Sequence, residues 1–401
     1  MLGFVSVDNV GQTGLEAYYN KYLTGINGKL LTQSDLIGKE LSGEPMEYIP
    51  ATDGLDVVLT IDYVIQSYVE QALDVIMQAY SPKNAKCLVI DVTNGDVLAM
   101  CVKPSVNLNN IDRSDVGLLM ELSRNSLVTD IYEPGSTFKV VTTAATLEES
   151  LKGNKKAFDE NYVFRNNSRT RIINGSKISC WSTHANGKHA NQTISQALNN
   201  SCNPIFTDIA LSLGAETFYE YLEKFGYGKP TGIDFSGEQS GILISKNSVT
   251  AGDLARIGFG QSVTVTAIQL AMATSAAVNG GLLYQPRLVK AIVDKSTKLV
   301  AKDFEPTVTN RAISVETSKK IAKMLQGVVT DGSGKKAYIQ GYEVGGKTGT
   351  AQKFENGKLA EGKYVSSFVT FFPASSPKYL ALILVDEPEG ASYGSVVAAP
   401  F

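Results

Sequence analysis

Histidine is nearly absent from this chain, since only His184 and His189 occur in 401 residues. A hydrolase with a Ser-His-Asp triad or a multi-histidine metalloenzyme would have to be built from these two alone, so most histidine chemistry is excluded. Basic residues are not in excess either: 37 Lys and Arg face 40 Asp and Glu, a net charge of −3. Because no stretch concentrates Lys and Arg, the composition argues against a nucleic-acid partner bound through its phosphates.

Long apolar runs are also missing. No segment reaches the ~18 consecutive apolar residues that span a bilayer. The N-terminal segment, residues 1–8, lacks the basic and apolar regions of a secretory signal. For a complete chain, these absences by themselves predict a soluble, cytoplasmic protein.

Cysteine is scarce, because four residues are too few for a disulfide scaffold in a chain of this length. Asn94-Gly95 is a strong hairpin signal between two apolar runs. A two-residue turn there would pair Cys87 with Val102 and place the sulfurs of Cys87 and Cys101 on opposite faces. We therefore interpret both as small buried hydrophobic residues. A longer loop would shift this register by one residue.

The hydrophobic pattern changes along the chain. Residues 1–54 are rich in Gly, Tyr, Asn and Asp and show little periodicity, as in a linker or a partial module. Strand-like runs on both sides of a mostly helical block predict one antiparallel sheet built from both ends of the chain, an α+β fold over residues 55–401. The predicted strands cover 55–61, the hairpin 86–103, 342–354, 364–372 and 379–385, and the predicted helices cover 62–80, 136–150, 193–200, 204–212, 214–225, 264–278 and 314–328.

Ser136 and Lys139 stand at the start of a predicted helix. Three residues make about one helical turn, so the hydroxyl and the amine share a face within hydrogen-bond reach. The helix N-terminus favours an oxyanion, and a lysine with a depressed pKa acts as a base. The pair is therefore a candidate nucleophile with its base. The Ser-x-x-Lys pattern recurs at 333–336 and 375–378 in loop-like sequence, so the pattern alone is weakly specific.

Two further motifs follow in the chain. Ser201 and Asn203 belong to a Ser-Cys-Asn triplet between two predicted helices. The triplet 347–349, Lys-Thr-Gly, occurs once and lies on a predicted strand, where small residues let a ligand backbone approach and the lysine offers a charge for a carboxylate. In this order, the three motifs form the signature of penicillin-recognising serine enzymes.

The chain resembles the transpeptidase domain of class B penicillin-binding proteins, in the cell-division and sporulation branch, from about Leu55 to Phe401. Residues 133–139 match the nucleophile motif of that family, and residues 200–203 and 346–351 match its other two motifs. The resemblance implies a fold of the penicillin-binding-protein and serine β-lactamase type, an antiparallel sheet flanked by a helical subdomain. Residues 1–54 would then be the remnant of an N-terminal pedestal or linker region.

The resemblance also implies catalytic roles. Ser136 would attack the carbonyl of a D-Ala-D-Ala stem peptide and release D-Ala. Lys139, neutral before the attack, would take the proton of Ser136. Ser201 would help to pass that proton to the departing amine, while Lys347 keeps the local field positive and Asn203 orients the substrate amide.

Substrate binding is implied for the strand motif. Lys347 with Thr348, Gly349 and Thr350 would form the subsite for the terminal carboxylate, and the backbone N–H groups of Ser136 and Thr350 would form the oxyanion hole. The amine of a second stem peptide would then resolve the ester and cross-link the cell wall. β-Lactams would mimic the first substrate and stall at the acyl stage.

Members of this family begin with a short cytoplasmic tail, one transmembrane helix and a pedestal domain. On this basis we expect a truncated ectodomain whose full-length protein is anchored by a single pass at the extracytoplasmic face of the bacterial membrane. This expectation replaces the cytoplasmic one. The expected partners are peptidoglycan stem peptides, β-lactam antibiotics and a membrane glycosyltransferase of the division or sporulation machinery, with no nucleic acid.

Both histidines and half of the cysteines lie in the 23 residues from Cys180 through His184 and His189 to Cys202. Two thiolates and two imidazoles suit a tetrahedral structural zinc, which would pin the loop that carries Cys202. The spacing fits no familiar finger, so the hypothesis rests on clustering alone. Two alternatives stay open, packing residues and a Cys180–Cys202 disulfide. His184 is the least secure ligand, since an Asp or a water could replace it.

Other functions share the three motifs. Serine β-lactamases and DD-carboxypeptidases carry them too, but a β-lactamase must deacylate quickly with a positioned glutamate and water or a modified lysine. Nothing near the motifs marks such a base, and the length favours a transpeptidase. The rival from another class is a β-lactam sensor, or a structural division protein with a silent site. The intact motifs argue against the silent site. A sensor and a transpeptidase would differ in the N-terminal half of the full-length protein, which would hold signalling helices in a sensor and a pedestal domain in a transpeptidase.

Overall fold

The computed structural model describes residues 1–31, 37, 47–165, 168–181, 191–355 and 358–401, with backbone only at 354–355 and 358–359. In these ranges no helix is both long enough and apolar enough to cross a bilayer. The helices are α1 (Gly14–Tyr18), α2 (Asn20–Leu23), α3 (Tyr63–Tyr80), α4 (Val116–Ser123), α5 (Ser126–Thr129), α6 (Lys139–Leu151), α7 (Ile194–Asn199), α8 (Asn203–Lys224), α9 (Ala251–Ile257), α10 (Ala267–Val278), α11 (Val315–Thr330) and α12 (Gly394–Val397).

The strands form one large sheet and several short ladders. They are β1 (Lys29–Leu31), β2 (Glu47–Ile49), β3 (Asp56–Leu59), β4 (Asn84–Asp91), β5 (Val97–Lys103), β6 (Ile131–Tyr132), β7 (Thr170–Ile173), β8 (Ser176–Ser179), β9 (Val265–Thr266), β10 (Leu282–Tyr284), β11 (Val289–Val293), β12 (Val300–Asp303), β13 (Val308–Arg311), β14 (Gly345–Glu355), β15 (Lys358–Phe372) and β16 (Tyr379–Asp386). Short 3-10 turns cover Gly135–Phe138 and Lys335–Ala337.

The large sheet has five antiparallel strands in the order β14-β15-β16-β4-β5. Its central pairing joins β16, near the C-terminus, to β4, near the N-terminus, from Tyr379 opposite Asp91 to Asp386 opposite Asn84. The predicted α+β fold, with one sheet made from both ends of the chain, is therefore confirmed.

The large sheet separates two apolar cores, because successive side chains of a strand point to opposite faces. On one face Leu88 of β4 and Leu382 of β16 join the main core with the helical block. On the other face Val89 of β4 and Ile383 of β16 pack in a smaller core that also contains Leu73 of α3. Both faces of the central strands are buried, which explains their nearly continuous apolar sequences.

The helical block is centred on α6 and α10. Every residue of α10 is buried, as are residues 139–148 of α6. Thr266 caps the N-terminus of α10 in a capping box with Gln269, which fixes where this buried helix begins. Gly214 breaks the helical conformation inside α8 with φ 78° and ψ 164°, at the junction of the two predicted helices 204–212 and 214–225.

The predicted pairing of Cys87 with Val102 is wrong. Cys87 lies directly opposite Cys101, so both thiols point to the same face. The hairpin loop runs from Asp91 to Asp96 and is longer than the predicted two-residue turn. A register shift between Val89 and Ile90 moves the pairing of β4 with β5 by one residue. The burial of both cysteines is confirmed, at 3% and 7% exposed. Helices α4 and α9 were not expected from the sequence.

Candidate active site

Ser136 lies in the 3-10 turn that leads into α6, and Lys139 is the first residue of that helix. The Lys139 Nζ atom lies 3.0 Å from Ser136 Oγ, as the one-turn spacing predicts. The turn is held by the N–H of Gly135, which donates to the carbonyl oxygen of Gly260. A Cβ at Gly260 would approach the Gly135 oxygen to 2.0 Å, so only glycine permits this contact behind Ser136.

Ser201 and Asn203 come from the tight turn between α7 and α8. Ser201 adopts a left-handed φ of 54°, an uncommon conformation for serine that tends to mark functional turns. The turn brings three oxygens to the Lys139 amine: the Ser201 carbonyl at 2.8 Å, the Ser201 Oγ at 3.1 Å and the Asn203 Oδ1 at 2.6 Å. The second motif therefore surrounds the amine of the first.

Lys347 lies on β14 and completes the cluster. Its Nζ atom donates to Ser201 Oγ at 2.9 Å and to the Thr348 carbonyl at 3.1 Å. Gly349 follows on the same strand, where a Cβ would lie 2.3 Å from Ser367 Oγ and where the backbone of Gly394 packs closely. The structure thus brings the three motifs together through the hydroxyl of Ser201, which contacts both lysines.

Burial controls the protonation of both lysines, whose side chains have no exposed surface. Desolvation lowers the pKa of Lys139 to about 8. Desolvation, together with the charge of Lys139, holds the pKa of Lys347 well below its usual range. Two ammonium groups that share one hydroxyl repel each other. The site therefore favours one ammonium and one neutral amine over two ammonium groups.

A cavity of about 470 Å³ opens over Ser136, and Thr348, Gly349 and Thr350 form one wall. We call this cavity the catalytic cleft. Its remaining lining residues are Gly135, Trp181, Ser201, Asn203, Phe259, Gln261, Ser333, Gln352, Tyr364, Tyr393 and Ser395.

Several residues of the catalytic cleft were not expected from the sequence. Trp181 and Tyr393 both line the catalytic cleft and are half-exposed, with ring centroids 6.0 Å apart. The Trp181 indole N–H donates to the Asn200 carbonyl, which ties the aromatic ring to the Ser201 turn. No local pattern could have identified the unexpected lining residues, because they come from widely separated parts of the chain. Ser333 belongs to a repeated Ser-x-x-Lys pattern, which was its one signal.

Cys180 and Cys202, two of the expected zinc ligands, are both buried close to Lys139. The two thiols are in hydrogen-bond contact, and this contact and burial raise the pKa of Cys202. His184 and His189 lie outside the described residues. Within the described ranges, no three His, Cys, Asp or Glu side chains group as a metal site.

Comparison with known proteins gives consistent results. The penicillin binding protein transpeptidase domain family matches residues 85–401. Stage V sporulation protein D of Bacillus subtilis is 39% identical over 403 residues, covering 100% of this chain and 60% of that protein. Peptidoglycan D,D-transpeptidase FtsI of Escherichia coli K12 is 28% identical over 410 residues, covering 100% of this chain and 63% of that protein.

A solved structure shows the same architecture. The apo crystal structure of penicillin binding protein 3 from Mycobacterium tuberculosis superposes with a TM-score of 0.85 at 25% identity, over 100% of this chain and 85% of that chain. The chain spans less than two thirds of the length of the two curated relatives, 60% and 63%. The family match covers most of the chain, and the resemblance read from its three motifs is confirmed: the chain belongs to the family of class B penicillin-binding protein transpeptidase domains.

Proposed function

We propose that this chain is the catalytic domain of a peptidoglycan D,D-transpeptidase that works through an acyl-enzyme on Ser136. The observation that carries the proposal is the contact of 3.0 Å between Ser136 Oγ and the buried amine of Lys139, at the base of an open cleft. A buried lysine with a lowered pKa keeps a lone pair at a pH where an exposed lysine is an ammonium. The relatives named D,D-transpeptidase support the reaction class.

The hydrogen-bond acceptors around each lysine favour one placement of the shared proton. A neutral amine has two donors and a lone pair, whereas an ammonium has three donors. The two shortest contacts of Lys139, to the Asn203 Oδ1 at 2.6 Å and the Ser201 carbonyl at 2.8 Å, take both donors of a neutral amine, so its lone pair is left for the hydroxyls of Ser136 and Ser201 at 3.0 and 3.1 Å. Lys347 meets three acceptors, Ser201 Oγ, Thr348 O and, at 3.4 Å, Thr348 Oγ1. Burial and the charge of Lys139 lower the pKa of Lys347 as well, so we place the ammonium on Lys347 because Lys139 is the lysine that contacts Ser136.

Acylation then proceeds with a balanced proton transfer. Ser136 Oγ bonds to the carbonyl carbon of the penultimate D-Ala while its proton moves to Lys139. Backbone N–H groups of Ser136 and Thr350 stabilise the oxyanion. The C–N bond breaks and the departing D-Ala amine takes the proton through the Ser201 hydroxyl, which contacts both lysines.

Substrate is held along β14. Thr348, Gly349 and Thr350 line the catalytic cleft beside the Lys347 charge, so they suit the terminal carboxylate, and Asn203 suits the substrate amide. The amine of a second stem peptide attacks the ester, forms the cross-link and returns its proton to Ser136. β-Lactams acylate the same hydroxyl and resist this second step.

The biological setting follows from the relatives and is part of the proposal. The relative at 39% identity is named for sporulation, and another is a transpeptidase named FtsI. We propose that the full-length protein acts at the extracytoplasmic face of the membrane, held by a single-pass anchor. Its partner there is a membrane glycosyltransferase of the sporulation or division machinery, which supplies the glycan strands that it cross-links.

The test is an intact-mass time course after addition of benzylpenicillin, with Ser136→Ala beside the wild type. We expect one stable adduct per chain, absent from Ser136→Ala, and cross-linked product with stem peptides as donor and acceptor. An adduct that vanishes within seconds as hydrolysed drug accumulates would make the protein a β-lactamase. A stable adduct without peptide transfer would favour the sensor, and no adduct at all would overturn the proposal.

We also propose a structural zinc held by Cys180, His184, His189 and Cys202. The contact between the two buried thiols supports it, since it places two soft ligands together beside the Ser201 turn. A metal there would fix the turn that surrounds the Lys139 amine.

Elemental analysis of protein purified without chelator tests the zinc site. We expect one zinc per chain in the wild type and loss of zinc in Cys180→Ser and His189→Ala, with Cys101→Ser as the matched buried-cysteine control. Metal-free protein whose mass shows the loss of two hydrogens, restored by reductant, would replace the zinc with a Cys180–Cys202 disulfide. Metal-free protein with intact thiols would leave both as packing residues.

A further inference from the structure

A second cavity, of about 660 Å³, lies where the N-terminal segment meets the three-stranded sheet of β3, β11 and β12. We call it the tyrosine cavity, and among the residues that line it are Tyr18, Lys21, Tyr22, Arg287, Lys302 and Phe304. It is larger than the catalytic cleft and shares no lining residue with it. The acyl transfer proposed above does not use the tyrosine cavity, although its volume is typical of ligand sites.

An aromatic cluster forms part of the wall of the tyrosine cavity. Tyr19 is the centre of this cluster, because its ring centroid lies 5.1 Å from that of Tyr18 and 6.3 Å from that of Tyr22. The ring of Phe304, just after β12, meets Tyr19 edge-on at 6.3 Å. Tyr18 is 44% exposed, so part of its ring surface is open to a ligand.

Hydrogen bonds hold the aromatic cluster in place. The buried Tyr19 hydroxyl donates to the Asp234 carboxylate at 2.7 Å. The same carboxylate accepts the backbone N–H groups of Leu288 and Val289 at 2.6 and 2.9 Å. These contacts join the N-terminal segment to the start of β11, so the wall is formed before a ligand arrives and little ordering has to accompany binding.

Two exposed lysines are held beside the aromatic rings. The Lys21 Nζ atom lies 4.8 Å from the ring centroid of Tyr22, and the Lys302 Nζ atom lies 4.7 Å from that of Phe304. An ammonium has three donors, and a ring face does not satisfy them all. Both amines therefore keep donors for the oxygens of a ligand in the tyrosine cavity.

The charges that line the tyrosine cavity are mixed, with three cations and two carboxylates: Lys21, Arg287, Lys302, Asp234 and Glu305. A polyanion would meet the two carboxylates, and an apolar ligand would take the charged groups out of water without a partner. A sugar suits both features of the wall. Its C–H face packs on aromatic rings, while the hydroxyl and amide groups at its edge accept and donate hydrogen bonds.

We propose that the tyrosine cavity binds the glycan strand of peptidoglycan through its N-acetylated amino sugars. This inference rests on the proposed transpeptidase function, whose substrate carries its stem peptides on such strands. The Tyr18 ring packs against a sugar face, and the Lys21 and Lys302 amines donate to hydroxyl and carbonyl oxygens. The tyrosine cavity holds the polymer while the catalytic cleft acts on its peptides, and it takes no part in acyl transfer.

The test measures the binding of chitotetraose, a peptide-free oligomer of N-acetylglucosamine, by isothermal titration calorimetry. The proteins are the wild type, Tyr18→Ala, Lys302→Met and the control Tyr63→Ala, which removes an exposed tyrosine outside the tyrosine cavity. We expect each of the first two substitutions to weaken binding by about 3- to 10-fold, and the control to match the wild type. Wild type acylated by benzylpenicillin should bind chitotetraose as tightly as the unacylated protein. Formation of the benzylpenicillin adduct at the wild-type rate shows that each variant is folded.

The outcomes separate this inference from the function on which it rests. A wild type that forms the adduct but does not bind chitotetraose would overturn the glycan site and leave the acyl-enzyme intact. The same holds if Tyr18→Ala and Lys302→Met bind as tightly as the wild type, or if acylation abolishes binding, which would place the sugar in the catalytic cleft. A wild type that binds chitotetraose and forms no adduct would instead overturn the transpeptidase function, and with it the identification of the ligand as a peptidoglycan strand.

Discussion

At the scale of single residues, the chemistry of this site comes from burial. Lys139 and Lys347 are ordinary lysines in sequence, but each is enclosed by protein and both contact one hydroxyl. The polar groups around the two lysines can accept every hydrogen bond that one ammonium and one neutral amine donate. Because the site is buried, the low dielectric strengthens these hydrogen bonds and leaves no charge without a partner. The reactivity that we propose for Ser136 therefore depends on the three motifs together.

The first prediction concerns pH. Burial lowers the pKa of Lys139 to about 8, so its lone pair is lost as the pH falls through that range and is retained above it. We expect the rate of acylation by benzylpenicillin to rise with pH and to level off well below the 10.5 of an ordinary lysine. Stopped-flow or quenched mass measurements across this range check it. A midpoint near the value of an exposed lysine would show that Lys139 is not the base.

At the scale of elements, polar contacts fix how helices meet. The Glu148 carboxylate on α6 accepts from the backbone N–H and hydroxyl of Ser314 and from the Thr317 hydroxyl, at the N-terminus of α11. Burial alone would raise the pKa of Glu148, but these hydrogen bonds bring it below its ordinary value. A negative charge at the N-terminus of α11 also interacts favourably with the dipole of that helix.

The second prediction follows from this contact. Glu148→Ala leaves three donors without their acceptor and should lower the free energy of unfolding by about 1–3 kcal/mol. Because the folded pKa is lowered, the stabilisation is present above the ordinary carboxyl pKa and is lost as the pH falls through the folded value. Denaturant unfolding at neutral and acidic pH measures both effects. A difference between wild type and Glu148→Ala that persists unchanged in acid would contradict the role of the charge.

The third prediction concerns the break in α8. Gly214 has φ 78° and ψ 164°, a conformation open essentially to glycine alone. Nothing lies within 4 Å of a Cβ there, so Gly214→Ala would cost backbone strain without a collision, about 1–3 kcal/mol. We expect a lower melting temperature with benzylpenicillin acylation unchanged below it, because Gly214 does not line the catalytic cleft. An unchanged melting temperature would show that the two halves of α8 can realign.

At the scale of the whole molecule, the N-terminal segment is packed against the transpeptidase domain. Leu15 and Tyr19 belong to the main core. The Tyr19 hydroxyl donates to Asp234 at 2.7 Å, and the same carboxylate accepts the N–H groups of Leu288 and Val289. The described part of residues 1–54 therefore contributes packing to the domain that follows.

The fourth prediction tests this packing and the boundary at residue 54. In the full chain, Tyr19→Phe should lose about 1 kcal/mol of stability and Leu15→Ala about 2–5 kcal/mol, both with Ser136 still acylated. A fragment of residues 55–401 should keep the adduct but unfold at a lower temperature. Thermal unfolding and intact mass measure both properties. A fragment as stable as the full chain would make residues 1–54 a separate unit.

Features that are local, or that follow one another in order along the chain, could be predicted before the fold was known. The spacing of Ser136 and Lys139 is one helical turn, and short apolar runs marked the strands of the large sheet, so both were predictable from short segments. The order of the three motifs along the chain was enough to identify the family. The pairing of Cys87 was missed, because a register shift depends on how the loop closes rather than on the strand sequences.

The tertiary structure decided which distant residues meet. Ser201 lies 62 residues from Lys139 and 146 from Lys347, yet packing of α6 against α8, and of the 3-10 turn before α6 against β14, brings all three within hydrogen-bond distance. The same packing lowers the pKa of both lysines, places Ser333 beside Thr348 and closes the catalytic cleft with Trp181 and Tyr393. Residue types and hydrophobic periodicity can be read directly from the sequence. Burial and long-range contacts, which set the pKa values of the two lysines, arise only when the chain folds.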